Sequence, residues 1–406
     1  MKYCLIGEKL SHSYSKIIHE SLGINYELKE IQRSEIEHFC KNLKYDGFNI
    51  TIPYKQCVFD YLYFISDTAK KIGAVNTVLN KNGKLYGYNT DYEGILYSFK
   101  KLGVNLQGKT VLILGTGGAS KSVKAVCEDL GAKVLLAGRN SQINYQNCYD
   151  YEPQIIVNAT PVGMFPNAGE SPIDLYKFKG VEAVLDCIYN PLKTKFIQDA
   201  EELNIKNLNG LTMLVRQALV AIEIWTGEKC TDCKTEEVLN DLTKKTLNIV
   251  LVGMPSCGKT TIGKILAEKL NKNYVDLDEY ITQKYQKSPA QIINESGEQL
   301  FREIESATIM ELSTKSNLVL ATGGGVILRN ENIKNLKSNG EIVYIKRDLD
   351  KLLIENRPIS QKVGVENLYK TRKPLYENCA NFIVDNNGAL EKTVKEIVNF
   401  YENISY

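Results

Sequence analysis

At 406 residues the chain is long enough for two or three domains. Charged residues make up 24% and hydrophobic residues 43%, with a formal net charge of +2, and interspersed signs of this kind give no field for nucleic acid. No apolar run approaches the ~18 residues of a membrane span, so neither a nucleic-acid nor a membrane partner is expected.

The start, Met1-Lys2-Tyr3-Cys4-Leu5-Ile6-Gly7, has too short an apolar core for a signal peptide and reads as a first strand. Ten scattered cysteines are expected to be reduced thiols in the cytoplasm. Cys230 and Cys233 form an isolated C-x-x-C with no second pair or nearby histidine to complete a metal site. All three histidines, His12, His19 and His38, lie early in the chain, so chemistry in the second half must do without imidazole.

Up to about residue 100, short strands alternate with helical stretches. Ser13 and Ser15 stand two apart. Asn49-Ile50-Thr51-Ile52-Pro53-Tyr54-Lys55 alternates strictly. As an extended strand it puts Asn49, Thr51 and Lys55 on one face and Ile50, Ile52 and Tyr54 on a core face. The first face is a row of donors around an amine; a solvated strand edge accounts for either row equally well. From Lys109 to about Trp225 a strand–helix–strand pattern predicts a doubly wound sheet. Its strand Val111–Leu114 enters Gly115-Thr116-Gly117-Gly118-Ala119-Ser120. Such a turn aims backbone N–H groups and a helix N-terminus at phosphate and suits a dinucleotide. Ser120 stands where Gly or Ala is usual. The next strand, Lys133–Ala137, runs into Gly138-Arg139. Arg139 occupies the place of a ribose-reading acid, and a guanidinium there suits the extra phosphate of NADP. The alternative is a solvent-facing arginine at a strand end.

The polar stretch 227–246 has room for a helix over Glu236–Thr243, and the boundary is expected near 243–247. Beyond it, strands at Ile249–Val252, Tyr274–Leu277, Leu318–Thr322, Glu341–Ile345 and Phe382–Val384 alternate with helices, the first over 259–271. This predicts a parallel five-stranded sheet. The first strand enters Gly253-Met254-Pro255-Ser256-Cys257-Gly258-Lys259-Thr260, a loop for a nucleoside triphosphate. Lys259 would reach the terminal phosphates and Thr260 a Mg2+ ion. Asp276 and Asp278 end a strand two apart, so one can assist magnesium and the other can accept from an attacking hydroxyl. Around Arg302, Leu300, Ile304 and Ala307 predict a helix seam, with Glu298–Arg302 readable as a surface pair. Gly323-Gly324-Gly325 follows a strand and lets backbone approach a ligand. The basic stretch 356–373 reads as a mobile lid or a solvated loop. Cys257, at a helix N-terminus beside Lys259, is either a reactive thiolate that MgATP would cover or a small side chain tucked inward.

Several segments together resemble shikimate dehydrogenase, in order over roughly residues 1–230. They are Ser11-His12-Ser13-Tyr14-Ser15, the N-x-T-x-P-x-K stretch, Gly73-Ala74-Val75-Asn76-Thr77, Asn89-Thr90-Asp91, the glycine loop, Asn158-Ala159-Thr160-Pro161, Tyr189-Asn190-Pro191 and Asn209-Gly210-Leu211-Thr212 with Gln217. Lys16 and Glu20 depart from the family's common proline and asparagine without removing a chemical group. The resemblance implies that Ser13, Ser15, Thr51, Asn76, Asp91 and Gln217 bind shikimate. Lys55 would be the general acid/base paired with Asp91. Gly115, Gly117, Gly118, Ala119, Arg139, Asn158, Thr160 and Gly210 would border NADP(H). From about residue 248 onward, D-x-D, the F-R-x-x-E helix, the triple glycine and Arg372-Lys373-Pro374-Leu375-Tyr376 resemble shikimate kinase. That implies Asp278, Arg302, Gly324, Gly325 and Arg372 against shikimate. Gly253, Gly258, Lys259, Thr260 and Arg357 would serve ATP, with Thr260 and Asp276 on Mg2+.

The expected fold is α/β throughout: a substrate domain over 1–105, a Rossmann-like NADP domain over 106–243 and a P-loop kinase domain over 248–406. The expected substrates are 3-dehydroshikimate, reduced to shikimate, and then shikimate, phosphorylated on its 3-hydroxyl. Two other readings stay open. One is an NAD-linked quinate/shikimate dehydrogenase fused to a kinase for another small alcohol. The other is a metabolite-sensing regulator built from inactive enzyme domains. The sequence sets no oligomeric state.

Overall fold

The computed structural model describes residues 1–10, 13–352 and 365–404. The chain divides into two compact units. One comprises Met1–Met164, Glu170–Tyr189 and Phe196–Leu242, the other Phe165–Gly169, Asn190–Lys195 and Thr243–Tyr406. The division falls inside one helix, Asp232–Thr246, longer than the Glu236–Thr243 expected. Thr231 lengthens it, its Oγ1 accepting from Lys234 N at 3.2 Å, as an N-cap hydroxyl does.

The first unit holds two sheets. Strands β1 (Tyr3–Gly7), β2 (Tyr26–Glu30), β3 (Gly47–Ile50), β4 (Phe64–Ile65), β5 (Thr77–Lys81) and β6 (Lys84–Tyr88) lie in the order β2-β1-β3-β5-β6-β4. Strands β7 (Thr110–Leu114), β8 (Lys133–Ala137), β9 (Ile155–Asn158), β10 (Ala183–Asp186) and β11 (Lys206–Leu208) form a second, parallel sheet ordered β11-β10-β9-β7-β8. Both faces of β7 and β9 are covered. Val111, Ile113, Ile155 and Val157 pack on one side with Ile95, Phe99 and Val123. Leu112, Leu114 and Ile156 pack on the other with Phe196 and Ile197. That is why these strands read as unbroken apolar runs.

Three sequence expectations fail locally. Strand β3 stops at Ile50, and the chain then coils, with Tyr54 N donating to Thr51 O at 2.9 Å and Cys57 N to Tyr54 O at 3.0 Å. Pro53 has no N–H with which to prolong a ladder. Ile50 and Tyr54 are core residues, but Ile52 is 75% exposed. Asp276 and Asp278 do not share a strand face: the strand ends at Asp276, and Asp278 lies in the following helix, Leu277–Tyr285. In helix Pro289–Ser313 the buried face is Phe301, Arg302, Glu305, Thr308, Ile309 and Leu312, while Leu300 and Ala307 are exposed and Ile304 is half-buried. Gly297 has non-helical dihedrals and resets the phase of that helix.

A ring cluster joins the first sheet to helix Leu211–Thr226. Trp225 stacks on Tyr3 at 4.4 Å, His19 lies flat on Tyr26 at 3.9 Å, and Trp225 Nε1 donates to Val78 O at 3.0 Å. His19 is fully buried; its Nδ1 donates to Ser15 O at 2.7 Å, and its Nε2 has no partner. Burial pulls its pKa down to about 4. Below pH ~6.5 the unfolded chain therefore binds a proton that the folded chain refuses until about pH 4. Stability is lost as pH falls through that window, by about 3 kcal/mol at full development. Urea midpoints followed by Trp225 emission should fall more steeply from pH 6.5 to 4.5 in the wild type than in His19→Asn. Equal slopes would refute it.

In the second unit, β12 (Asn248–Val252), β13 (Asn273–Asp276), β14 (Leu318–Ala321), β15 (Gly340–Lys346) and β16 (Phe382–Asp385) form the expected parallel five-stranded sheet, ordered β13-β14-β12-β15-β16. The glycine loop leaves central β12 and feeds helix Lys259–Leu270. Among the described residues no helix is long and apolar enough to cross a membrane.

Candidate functional sites

In the first unit the turn after β3 and the start of helix Asp91–Leu102 bring Lys55 and Asp91 together, Nζ to Oδ2 at 2.6 Å. Their side chains are only 20% and 7% exposed, so the pair is shielded from solvent screening. Asn76 Nδ2 donates to Asp91 Oδ1 at 2.8 Å, and Thr90 Oγ1 donates to Gln217 Oε1 at 3.4 Å. Lys55, Asp91, Asn76 and Gln217 thus converge. Thr51 lies beside the strand that leads to the serine loop, since a Cβ on Gly7 would meet both Thr51 Cγ2 and Leu10 Cδ2 at 2.7 Å. Ser13 Oγ accepts from Ser15 N at 3.2 Å. Tyr189, from the Tyr-Asn-Pro segment, enters this neighbourhood too, its ring 5.3 Å from that of Tyr14; its residue type and spacing alone carry no signal of that place.

At the C-terminal end of β7, Gly117 caps helix Gly118–Asp129. A Cβ on Gly117 or Gly118 would meet nothing within 4 Å, so that face is open to a ligand and suits a pyrophosphate at a helix N-terminus. Gly115 is different: its Cβ would fall 2.9 Å from Ala159 O, and it permits close packing. Ser120 is buried, its Oγ donating to Gly117 O at 2.7 Å. Gly138 packs against Thr116 of the loop, where a Cβ would meet Thr116 Cγ2 at 2.7 Å. Exposed Arg139 therefore follows directly beside the loop. Asn158 is a tie rather than an open donor. It is fully buried, accepts from Thr160 Oγ1 at 2.7 Å and donates to Asp186 Oδ1 at 3.0 Å. Gly210 packs on Cys187 O, 2.2 Å from where its Cβ would be.

In the second unit the loop carries left-handed or unusual backbone at Gly253 (φ +149), Ser256 (φ +64) and Gly258 (φ +103). Lys259 Nζ donates to Gly253 O and Met254 O, both at 2.9 Å. Thr260 Oγ1 donates to Asp276 Oδ2 at 3.1 Å, while Asp276 Oδ1 accepts from Asp278 N at 3.0 Å. A hydroxyl and a carboxylate side by side at the loop are the hard oxygen donors Mg2+ takes, with phosphate and water completing its shell. Among the described residues no cluster of three or more His, Cys, Asp or Glu could hold a metal. Cys257 is fully buried and lies 3.7 Å from Lys259 Nζ. Of the two readings it takes the inward one, out of reach of a thiol reagent.

Across from the loop, Arg302 is buried rather than a surface residue. It bonds Glu298 at 3.0 Å and Glu305 at 2.8 Å. Glu305 is the residue the sequence reading left without a role, although it stands one helical turn from Arg302. Its Oε1 has no partner, and burial pushes its carboxyl above the ordinary range against the pull of Arg302. A Cβ on Gly323 would lie 3.1 Å from Glu305 Oε1 and 3.3 Å from Asp278 Oδ1. One on Gly325 would lie 2.4 Å from both terminal nitrogens of Arg302. Gly324 O accepts from Arg372 Nη1 at 3.1 Å and from Tyr376 OH at 2.5 Å. Asp278, Arg302, Arg372 and the glycines therefore line one site. Arg372 reaches it from helix Val365–Cys379, so the C-terminal part of the expected lid is helical. Arg357 and Lys362 lie outside the described residues.

The two units thus carry the parts of a dinucleotide-dependent dehydrogenase and of a P-loop phosphotransferase. The family model for the shikimate dehydrogenase substrate-binding domain matches residues 5–78, and that for shikimate kinase matches residues 255–402. The shikimate dehydrogenase (NADP(+)) of Clostridium perfringens is 37% identical over 262 residues, covering 59% of this chain and 97% of its own. The crystal structure of shikimate dehydrogenase 1 from Peptoclostridium difficile is 40% identical with a TM-score of 0.56, covering 60% of this chain and 98% of that one. That of the Thermus thermophilus enzyme in complex with NADP(H) and shikimate is 30% identical with a TM-score of 0.53, covering 59% and 99%. The chain belongs to the shikimate dehydrogenase family and carries a shikimate kinase domain fused behind it.

Proposed function

We propose that one chain performs two successive steps on the same small molecule: NADPH-dependent reduction of 3-dehydroshikimate to shikimate, then ATP- and Mg2+-dependent phosphorylation of shikimate at its 3-hydroxyl. The observation that carries this is the presence, in one chain, of two family matches that name the same compound. The curated relatives are NADP(+) enzymes, which does not favour the NAD-linked alternative. The intact Lys55–Asp91 pair and loop lysine speak against an inactive sensor.

NADPH, when bound, supplies the hydride. Lys55 gives the proton to the oxygen that becomes the 3-hydroxyl, and Asp91 holds the ammonium charged and aimed. Ser13, Ser15, Thr51, Asn76 and Gln217 orient the ring. In the second unit Asp278 takes a hydrogen bond from the same hydroxyl, Arg302 and Arg372 face the substrate carboxylate, and Lys259 offsets charge on the transferred phosphoryl group. Thr260 and Asp276 would hold Mg2+, which would offset charge on the phosphates. Of the three proposed domains, 1–105 and 106–243 serve the reduction and 248–406 the phosphorylation.

The purified chain should oxidise shikimate with NADP and phosphorylate shikimate with ATP. A second half that ignores shikimate but phosphorylates another alcohol would sink the second assignment. Arg139→Asp should raise the KM for NADP relative to NAD by roughly 10–100-fold, because a carboxylate would face the 2′-phosphate. An unchanged ratio would return Arg139 to a plain surface role.

A further inference from the structure

Asn49 heads the donor row that sequence patterning singled out, yet it does not open toward a ligand. It is 5% exposed, and its amide is used up within the protein. Its Oδ1 accepts from Tyr26 OH at 2.6 Å, and its Nδ2 donates to Thr77 Oγ1 at 2.9 Å and Asn76 O at 3.2 Å. Thr77 Oγ1 donates in turn to Asn76 Oδ1 at 3.1 Å, and Asn76 Nδ2 donates to Asp91 Oδ1 at 2.8 Å. Asp91 Oδ2 holds Lys55 at 2.6 Å. Along this route each group donates toward the carboxylate; Thr77 Oγ1 also lies 3.1 Å from Thr90 Oγ1, and Asn76 Oδ1 also accepts from Thr90 N at 2.7 Å. Tyr26, Thr77, Asn76 and Asp91 are 1%, 0%, 3% and 5% exposed. At the far end the Tyr26 ring lies against His19, 3.9 Å away and nearly parallel.

We propose that Tyr26 is a positioning residue for the reduction, acting through Asn49, Thr77 and Asn76 to fix the Asp91 carboxylate that aims Lys55. Two observations and one physical principle support this over a purely structural role. The phenol is fully buried, and its hydroxyl serves one acceptor, Asn49. Asn76, at the other end, already points both amide hydrogens into the site, at Thr90 Oγ1 and Asp91 Oδ1. Donors in series polarise one another in a low-dielectric interior, so losing the first weakens the last. Tyr26 touches neither Lys55 nor Asp91, so its effect has to be transmitted through this chain.

The proposal rests on Lys55 and Asp91 being the proton-transfer pair, and series connection gives the test. Tyr26→Phe removes one oxygen; Thr77→Val removes one hydroxyl at nearly constant shape and leaves Asn49 Nδ2 its bond to Asn76 O. Each variant should lower the dehydrogenase kcat about tenfold, with KM for shikimate moved less than about twofold. The double variant should lose no more than either single one, because a chain cut once is already cut. Emission of Trp225, the sole tryptophan, should be unchanged, and so should kinase turnover. Losses that multiply in the double variant would overturn the proposal, as would a loss carried by KM alone, an altered emission or no loss in the singles. Asp91→Asn separates the two levels. If it keeps wild-type turnover, the underlying pair assignment is wrong; if it is inactive while Tyr26→Phe is unaffected, only the relay is wrong.

Discussion

Lys55→Ala should cost the dehydrogenase ~10²–10⁴-fold in turnover while leaving the kinase unchanged, the usual loss when a general acid is removed. The argument is geometric. Hydride arrival leaves charge on an oxygen, and Lys55 Nζ is held 2.6 Å from Asp91 in a largely buried pair. Removing the ammonium also leaves the Asp91 carboxylate with Asn76 Nδ2 at 2.8 Å but without its cation. The dinucleotide turn Gly115–Ser120 follows β7 in the other sheet and should still bind NADP(H). Shikimate oxidation and ADP release measured on the same preparation check this. A fall of less than tenfold in the first assay would remove Lys55 from its assigned role.

Much of this was legible in the chain. Both glycine loops follow unbroken apolar runs, and such runs belong to parallel strands covered on both faces. Val111–Leu114 and Ile249–Val252 therefore announced β7 and β12 together with the loops that follow them. What misled was periodicity near a turn. Asn49–Lys55 alternates like a strand, but Pro53 ends the ladder, and the coil that results is what points Lys55 at Asp91, 36 residues further on. Asp276 and Asp278 were likewise placed on one strand face, whereas Asp276 caps the helix in which Asp278 sits, its Oδ1 accepting from Asp278 N. Spacing alone does not separate a strand end from a helix cap. Glu305 was visible as the last letter of F-R-x-x-E, but only burial reveals it as the partner of Arg302. The Tyr26–Asn49–Thr77 connection had no local signal, since each link joins residues 23 to 28 positions apart.

Lys259→Met should lower kinase turnover by ~10²–10³-fold, the scale on which one preorganised donor to developing charge acts, and leave the dehydrogenase untouched. Lys259 opens helix Lys259–Leu270, and its ammonium donates to Gly253 O and Met254 O, two carbonyls of its own loop. The charge therefore braces the loop, and in the proposed reaction it would meet the phosphates from the same point. Methionine keeps most of the aliphatic stem in a site only 9% exposed, so packing survives while the brace and the charge are lost together. Lys259→Arg keeps the charge but not the fit, because a planar fork cannot converge on two carbonyls as a compact ammonium does; it should lose nearly as much. Affinity for MgATP, measured beside kcat, separates the two functions of the residue. If bracing dominates, affinity falls with turnover in both variants. If charge on the transferred group dominates, the arginine variant recovers turnover relative to methionine at similar affinity. Retention of kinase activity within tenfold in Lys259→Met would exclude Lys259 from phosphoryl transfer, and parallel loss of the dehydrogenase would mean that the two activities do not reside in independent parts of the chain.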